Sequence, residues 1–216
     1  LNPDSFDKND GFERYHNNRS QRFTELVKGV DKIDYGLFKK IKFDQQLPQQ
    51  LKYIYGIDSL LQVNANDHPE VKEIITTLHQ WDRKATADSK GAAIFLLLYY
   101  YVADKLAGVA PRQLTMAESL DACRHIKEHM IKNFGRTDLV LGDVQKLVRG
   151  DDVRAAWGLP DVLTAAFSEP YVNGQRKVNS GEAYICLVRY PKTGLPIIES
   201  VNTFGASSKP GSKHYK

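Results

Sequence analysis

The sequence has little cysteine and no long apolar run. Of its 216 residues only two are cysteine, Cys123 in a helical pattern and Cys186 in a strand pattern. Two thiols exclude a disulfide framework, and they leave open whether the pair forms one bridge or stays free and buried. The longest apolar run, residues 92–103, is shorter than the roughly 20 residues that a membrane span needs. Because Asp104 and Lys105 end this run, it predicts a buried core helix and no membrane span.

A strong excess of one charge is also missing. The net charge is +4, charged residues make up 26%, and the basic residues are scattered among the acids. The one basic cluster is in the tail, at Lys209, Lys213 and Lys216. A nucleic-acid groove needs a basic face with interleaved aromatic residues. The tyrosine run at residues 99–101 instead lies inside the apolar helix, which favours a core role. Nucleic acid is therefore not expected as a partner.

Motifs for phosphate binding, dinucleotide binding and serine hydrolysis are absent. The sequence contains no G-x-S-x-G elbow, no P-loop and no G-x-G-x-x-G turn. Its serines are numerous, but none lies at a recognisable strand-to-helix turn. The 216 residues therefore show no catalytic nucleophile, and we predict no cofactor.

Two stretches have the residue types of a metal site. His125, Glu128 and His129 match the H-x-x-E-H pattern of inverted zinc proteases. Helical spacing puts both histidines off the apolar stripe, toward solvent or another domain, and two ligands do not make a zinc site. The acids at positions 4, 7 and 10 lack the glycine and terminal glutamate of a calcium loop. We therefore predict no metal. The stripe itself is predicted from period 3.6 as Met116, Leu120, Cys123, Met130, Ile131 and Phe134.

Helical patterns dominate the first two thirds of the chain. Asp34 can cap the second predicted helix, Asp88 or Ser89 the fifth, and Thr115 with Glu118 has the spacing of a capping box for the sixth. The predicted helices cover residues 14–28, 34–41, 48–55, 69–81, 90–106 and 115–134.

The sequence pattern changes in the last third of the chain. Residues 136–170 are mixed, with short helices predicted near 143–148 and 161–166. Strand patterns follow at 171–172, 183–189 and 196–203. The predicted fold class is mainly α with a short antiparallel β region (α+β). Its predicted organisation is a helical region, residues 1–170, and the start of an antiparallel strand region, residues 171–216.

Both ends of the sequence predict that it belongs to a longer protein. Residues 205–216 are rich in Gly, Ser and Pro and stop shortly after His214 and Tyr215. Leu1 is not an initiator Met, and no signal peptide follows it.

An ordered set of short motifs resembles the β-subunit of the penicillin amidase family, which includes acyl-homoserine-lactone and cephalosporin acylases. Residues 41–44 (IKFD) are similar to the family's I-K-x-D, and residues 78–82 (LHQWD) to its L-x-x-W-D, with Arg83 in place of the usual following glycine. The other matching pieces are residues 2–4 (NPD), 18–26 (NRSQRFTEL), 91–95 (GAAIF), 179–181 (NSG) and 205–215 (GASSKPGSKHY).

The resemblance implies an amide-hydrolysing acylase of the N-terminal nucleophile type. A precursor of this type cuts itself and exposes a serine whose own α-amino group acts as the base. Backbone and asparagine donors stabilise the oxyanion. The resemblance places that serine and that asparagine upstream of Leu1, so the 216-residue chain alone is expected to be inactive. The implied fold is a four-layer αββα sandwich, of which this chain would be a fragment.

One functional position of the family falls on this sequence, at Arg22. From the residues alone, Arg22 is a solvated arginine, paired with an acid one helical turn away. The resemblance gives it a supporting catalytic role, in which its charge stabilises the active-site network. His214 matches a position to which the resemblance gives a structural role and no catalytic one. Residues 2–4 and the paired asparagines at 17–18 favour the homoserine-lactone subgroup.

The resemblance also implies the surroundings of the chain. The expected partners are the missing α-subunit and N-terminal part of the β-subunit of the same precursor, and the expected substrate is a small amide, either an acyl-homoserine lactone or a β-lactam side-chain amide. The expected location is the periplasm. Apolar surface left bare by the missing sheet predicts self-association. The alternative hypothesis is a helical binding or scaffold module without catalytic activity.

Overall fold

Seven α-helices and six β-strands make up the described part of the chain. The computed structural model describes residues 17–51, 57–108, 112–182 and 184–215. The helices are α1 (Asn18–Val27), α2 (Tyr35–Lys42), α3 (Ile57–Leu60), α4 (Lys72–His79), α5 (Lys90–Lys105), α6 (Met116–Phe134) and α7 (Leu141–Val144). The strands are β1 (Gln145–Arg149), β2 (Asp152–Ala155), β3 (Ala166–Pro170), β4 (Arg176–Gly181), β5 (Tyr184–Arg189) and β6 (Ile197–Asn202). The predicted α+β class is confirmed.

The long helices begin where the sequence predicts. Asp34 Oδ1 accepts from the Leu37 backbone N–H at 2.8 Å, and the Ser89 hydroxyl accepts from that of Ala92 at 3.2 Å. Thr115 forms the predicted capping box with the acid three residues later, which satisfies backbone donors that a helix start leaves open. The helix predicted over 14–28 is observed as α1, which is shorter because the extended Asn17 caps its start and Lys28 ends it; residues 14–16 lie outside the described part.

The core is built around α5. Nine of its sixteen residues are buried, and it contacts α4, α6 and α7. The three tyrosines of α5, residues 99–101, are half-buried, and Tyr100 and Tyr101 pack against the core as predicted. On α6 the predicted apolar stripe is only partly right. Leu120, Cys123 and Met130 are buried as predicted, but Met116 and Ile131 are exposed at 42% and 49%, and the buried face also includes Ala122 and Ile126. This helix contacts α5 and α3.

A four-stranded mixed sheet follows the helices, in the order β2-β1-β4-β3. The β1–β2 and β3–β4 pairs are antiparallel, whereas β1 and β4 run parallel through Gln145↔Arg176 and Lys146↔Lys177. A separate antiparallel hairpin is formed by β5 and β6. The mixed sheet therefore combines strands from both predicted regions, with β1, β2 and β3 from residues 1–170 and β4 from residues 171–216.

The short helix predicted near 143–148 is observed earlier in the chain, as α7 over Leu141–Val144. Residues 145–149 form β1, because the turn at Gly150 and Asp151 closes a hairpin in which Arg149 faces Asp152. A glycine-containing pair of residues between two strand segments is a strong hairpin signal. The short helix predicted near 161–166 is wrong. Residues 161–165 form a turn and not a helix, and β3 begins at Ala166.

Smaller differences concern the remaining predicted elements. Residues 48–51 are not helical, and residues 52–55 of the helix predicted over 48–55 lie outside the described part. The strand predicted at 171–172 is replaced by a 3-10 turn, Val172–Gly174, that leads into β4. The strands predicted at 183–189 and 196–203 are confirmed as β5 and β6. Of the helices described, none has the length and apolar character that crossing a membrane requires.

Candidate functional site

Arg22 lies on α1 in a fork-to-fork pair with Asp44. Its Nε and Nη2 atoms donate to the two carboxylate oxygens of Asp44, each at 2.9 Å. The two side chains are only 14% and 15% exposed. Asp44 follows α2 directly, so the pair ties the second turn of α1 to the end of α2. Two parallel charge-assisted hydrogen bonds fix the plane of a guanidinium as well as its position.

Two further acceptors complete the surroundings of Arg22. Nη1 donates to Glu25, one turn further along α1, at 3.2 Å, and Nη2 donates to Gln46 Oε1 at 3.3 Å. The hydrogen bond to Asp44 is the largest cause that raises the pKa of Arg22 above its ordinary value, and partial burial opposes it. The arginine is thus cationic at every physiological pH. The predicted acid one turn away is present, but the principal partner is Asp44.

The first turn of α1 is held from the other side by Asp161. Its Oδ2 accepts from the backbone N–H of Asn18 at 3.1 Å and from the Asn18 side-chain amide at 2.8 Å. Its Oδ1 lies 3.3 Å from Nε of Arg19. Asn18 is fully buried, so this contact satisfies a polar group that would be costly to leave unpaired. Negative charge at a helix N-terminus also interacts favourably with the helix dipole.

A cavity of about 460 Å³ lies beside this network. Its wall includes Phe43 and Thr164, which adjoin Asp44, together with apolar residues of β1 and of the β5–β6 hairpin. Glu182 is an acid on the wall; it pairs with Lys42, and its Oε2 is buried with no hydrogen-bond partner in the part of the chain that the structure describes. The volume falls in the range of small-molecule sites.

The two histidines of the zinc-like motif have other contacts. The exposed His125 ring stacks on Tyr101, with centroids 4.3 Å apart. His129 Nε2 donates to the carbonyl oxygen of Gly174 at 2.9 Å. Among the residues that the structure describes, no three His, Cys, Asp or Glu side chains come together as metal ligands. The acids at positions 4, 7 and 10 lie outside those residues.

The cysteines are both free thiols, Cys123 buried and Cys186 exposed. The pairing that the sequence left open is therefore not formed. Burial raises the pKa of the Cys123 thiol to about 12, so it is a poor nucleophile at neutral pH.

His214 lies in a loop held by its backbone. Its carbonyl oxygen accepts from the N–H of Ser207 at 3.0 Å. Arg149 stabilises the same loop, because its guanidinium lies between the rings of Phe204 and Tyr215, 5.1 and 4.6 Å from their centroids. These contacts hold the tail around His214 in a folded conformation.

Sequence reasoning missed the two acids that hold α1. Asp44 was visible as the last residue of the I-K-x-D match, which assigned it no role. Asp161 had no usable signal, because a helix was predicted over its loop. Its contact with Asn18 spans 143 positions, which no local pattern encodes.

The comparison with known protein families places the chain. The model of the penicillin amidase family matches residues 3–216. The class of protein is thus that of the amide-hydrolysing acylases. The chain belongs to the penicillin amidase family, as the ordered motifs indicated.

Proposed function

We propose that this chain is the C-terminal part of the β-subunit of an N-terminal nucleophile acylase. The nucleophile is a serine upstream of the 216 residues, and the substrate is an acyl-homoserine lactone or a β-lactam side-chain amide. Support comes from the family match over residues 3–216 and from the motif order that led to it. In this proposal the chain by itself hydrolyses nothing.

The observation that carries a role for this chain is the geometry of Arg22. The described residues accept four of its hydrogen bonds, through Asp44 twice, Glu25 and Gln46. A guanidinium has five N–H donors, and the described residues therefore take up four of the five. A charge held rigidly in this way costs no reorganisation during reaction, which is how preorganised dipoles stabilise developing negative charge. Arg22 is accordingly a supporting residue and not the nucleophile.

Partners and location follow from the same proposal. The β5–β6 hairpin exposes Tyr190, Leu195 and Ile198 at 78%, 86% and 64%. A two-stranded hairpin is marginal in water, and exposed apolar surface of this kind marks an interface. The occupant proposed here is the remainder of the same precursor, folded in the periplasm. Without it the isolated chain self-associates, which light scattering would detect as a mass above 24.5 kDa.

The experiment compares the 216-residue chain with the longer reading frame that contains it. Both are assayed with acyl-homoserine lactones and phenylacetyl amides. We expect hydrolysis only by the longer protein, and we expect Arg22→Ala in it to lower kcat. Arg124→Ala is the matched control, because Arg124 on α6 forms an exposed pair with Glu70 and has no contact with the network around Arg22 among the described residues. Hydrolysis by the isolated chain, or an Arg22→Ala protein as active as the control, would contradict the proposal.

A further inference from the structure

Arg22 is part of a closed ring of contacts that returns to its own helix. Asp44 holds Arg22 through two hydrogen bonds. The backbone carbonyl of Asp44 accepts from the hydroxyl of Thr164 at 3.2 Å. Three residues before Thr164 in the same loop, Asp161 binds Asn18, the first residue of α1. The ring therefore runs from the loop to Asp44, to Arg22, along α1 and back to the loop.

The loop that carries Asp161 and Thr164 is itself fixed. The N–H of Gly158 donates to the carbonyl of Ala85 at 2.8 Å, and the buried Gln145 side chain donates to the carbonyl of Gly158 at 2.9 Å. A Cβ on Gly158 would lie 2.7 Å from the Thr164 carbonyl oxygen, so the two ends of the loop touch. A loop closed in this way is a firm support for the groups that it presents.

Asp161 adopts a conformation that most residues avoid. Its φ angle is +63°, in the left-handed region, where asparagine and aspartate are the commonest non-glycine residues. Both of its carboxylate oxygens are nevertheless used, one by Asn18 and the other by Arg19. The side-chain contacts therefore offset the backbone strain, and they do so at the helix turn that precedes Arg22.

We propose that Asp161 is a positioning residue for Arg22, with Thr164 as the second support. Asn18 and Arg22 are four residues apart on α1, so they lie on the same face. With Asp161 in place, α1 cannot rotate or slide without breaking either the Asn18 contact or the Asp44 fork. This inference rests on the proposed function only where catalysis is the readout.

The first test uses two substitutions at Asp161 in the longer acylase. Asp161→Gly removes the carboxylate, and glycine accepts the positive φ without backbone strain, so the effect of this variant reports the loss of the side-chain contacts. Asp161→Asn keeps an acceptor for Asn18 and also tolerates the conformation. We expect Asp161→Gly to lower kcat roughly tenfold or more with little change in KM, since small misplacements of a supporting group carry large rate penalties. Asp161→Asn should restore most of the rate.

The second test separates positioning from the role of Arg22 in catalysis. In an Arg22→Ala background, Asp161→Gly should cause no further loss of kcat, because it acts through the arginine. A full additional loss would overturn the inference. If Arg22→Ala alone leaves kcat unchanged, the proposed role of Arg22 fails, and the Arg22 Nε–H signal in an ¹⁵N NMR spectrum decides about positioning instead.

That signal is expected in a single sharp position in the parent and in Asp161→Asn. In Asp161→Gly and in Thr164→Val it should shift or broaden, because the guanidinium samples more orientations. A signal that stays unchanged in Asp161→Gly would overturn the inference whatever the activity shows.

Discussion

Gly91 lies where the ring of Trp81 leaves no room for a side chain. A Cβ on Gly91 would be 2.2 Å from Cγ and 2.3 Å from Cβ of Trp81. Because the Cβ of Trp81 is itself too close, rotation of the indole would not relieve the clash. The indole is further held by its Nε1–H, which donates to the Lys84 carbonyl at 2.9 Å, and by Phe95, 5.1 Å away between centroids. The two motifs LHQWD and GAAIF are therefore two halves of one packing contact.

Gly91→Ala is expected to destabilise the chain. Overpacking of a filled core costs about 1–3 kcal/mol, and here the backbone of α5 or of the Trp81 turn has to move. Gly36→Ala is the matched control on the exposed side of α2, where the nearest atom to a new Cβ is 3.4 Å away. Helix propensity predicts that this control gains about 0.5–1 kcal/mol. Urea unfolding of both variants checks the pair, and a neutral Gly91→Ala would show that Trp81 can retreat.

Arg83 occupies the position where the resembled family has glycine, and its backbone explains why. Its φ angle is +63°, a conformation that favours glycine. The arginine is retained through its side chain, which donates to the carbonyls of Pro48 and Gln49 and lies 3.8 Å from Asp58. Contacts of the side chain thus offset strain in the backbone.

Two truncations of Arg83 separate these effects. Arg83→Gly and Arg83→Ala both remove the guanidinium, but only glycine accepts the positive φ without strain. We expect the glycine variant to be more stable than the alanine variant by about 1–2 kcal/mol, the cost of a left-handed residue with a Cβ. Thermal unfolding of the two proteins gives the difference directly. Equal stabilities would mean that this turn relaxes to negative φ.

The two thiols are expected to differ sharply in reactivity. A thiol reagent at neutral pH should modify one cysteine per folded chain, the exposed Cys186, and two after denaturation. Cys186→Ser should leave no reactive thiol in the folded protein. Because burial raises the pKa of Cys123 from 9.0 to about 12, the neutral thiol is favoured in the fold. Its contribution to stability is therefore full below pH 9.0 and is lost as the pH rises toward 12. Rapid modification of both thiols would show that α6 opens.

Acid should weaken the start of α6. Hydrogen bonds from Arg112, and then from the backbone N–H and hydroxyl of Thr115, hold the pKa of Glu118 far below its ordinary value of 4.5. A carboxylate with a lowered folded-state pKa stabilises the fold above its unfolded pKa and loses that effect as pH falls. The stability difference between parent and Glu118→Gln should therefore be largest at neutral pH and shrink below pH 4.5. Denaturation at several pH values tests this, and a constant difference would contradict it.

The helices could be predicted because their signals are local. The Thr115 capping box and the Ser89 cap each involve residues three apart, and the apolar period of α5 needs no partner to be visible. The first four strands could not, because β1 and β4 lie parallel with about thirty positions between partners. Their pairing is decided by the packed fold, and the local signs were the turns at Gly150 and at Asn173–Gly174, which join β1 to β2 and β3 to β4. On α6, period alone placed the stripe slightly off, since the burial of Ile126 depends on where α3 and α5 lie.

The candidate site also combines contacts that are predictable from local sequence with contacts that only the fold creates. Arg22 and Glu25 are one turn apart and predictable as a pair, whereas Asp44 joins them only because the chain after α2 returns beside α1. Asp161 comes from the far end of the chain. Composition and motif order were enough for the family, but the contacts that orient Arg22 emerged only from the fold.

The contact between Asn18 and Asp161 joins two residues that are synthesised at different times. The two residues are 143 positions apart, and ribosomes add about 5–20 residues per second. Helix α1 therefore leaves the ribosome roughly 7–29 s before the residue that anchors it. A chain that ends before residue 161 contains Arg22 and Asp44 but lacks the residues that close the ring. The ring of contacts around Arg22 can close only after the loop at residues 158–164 has been made, so the final orientation of this arginine depends on residues synthesised long after it.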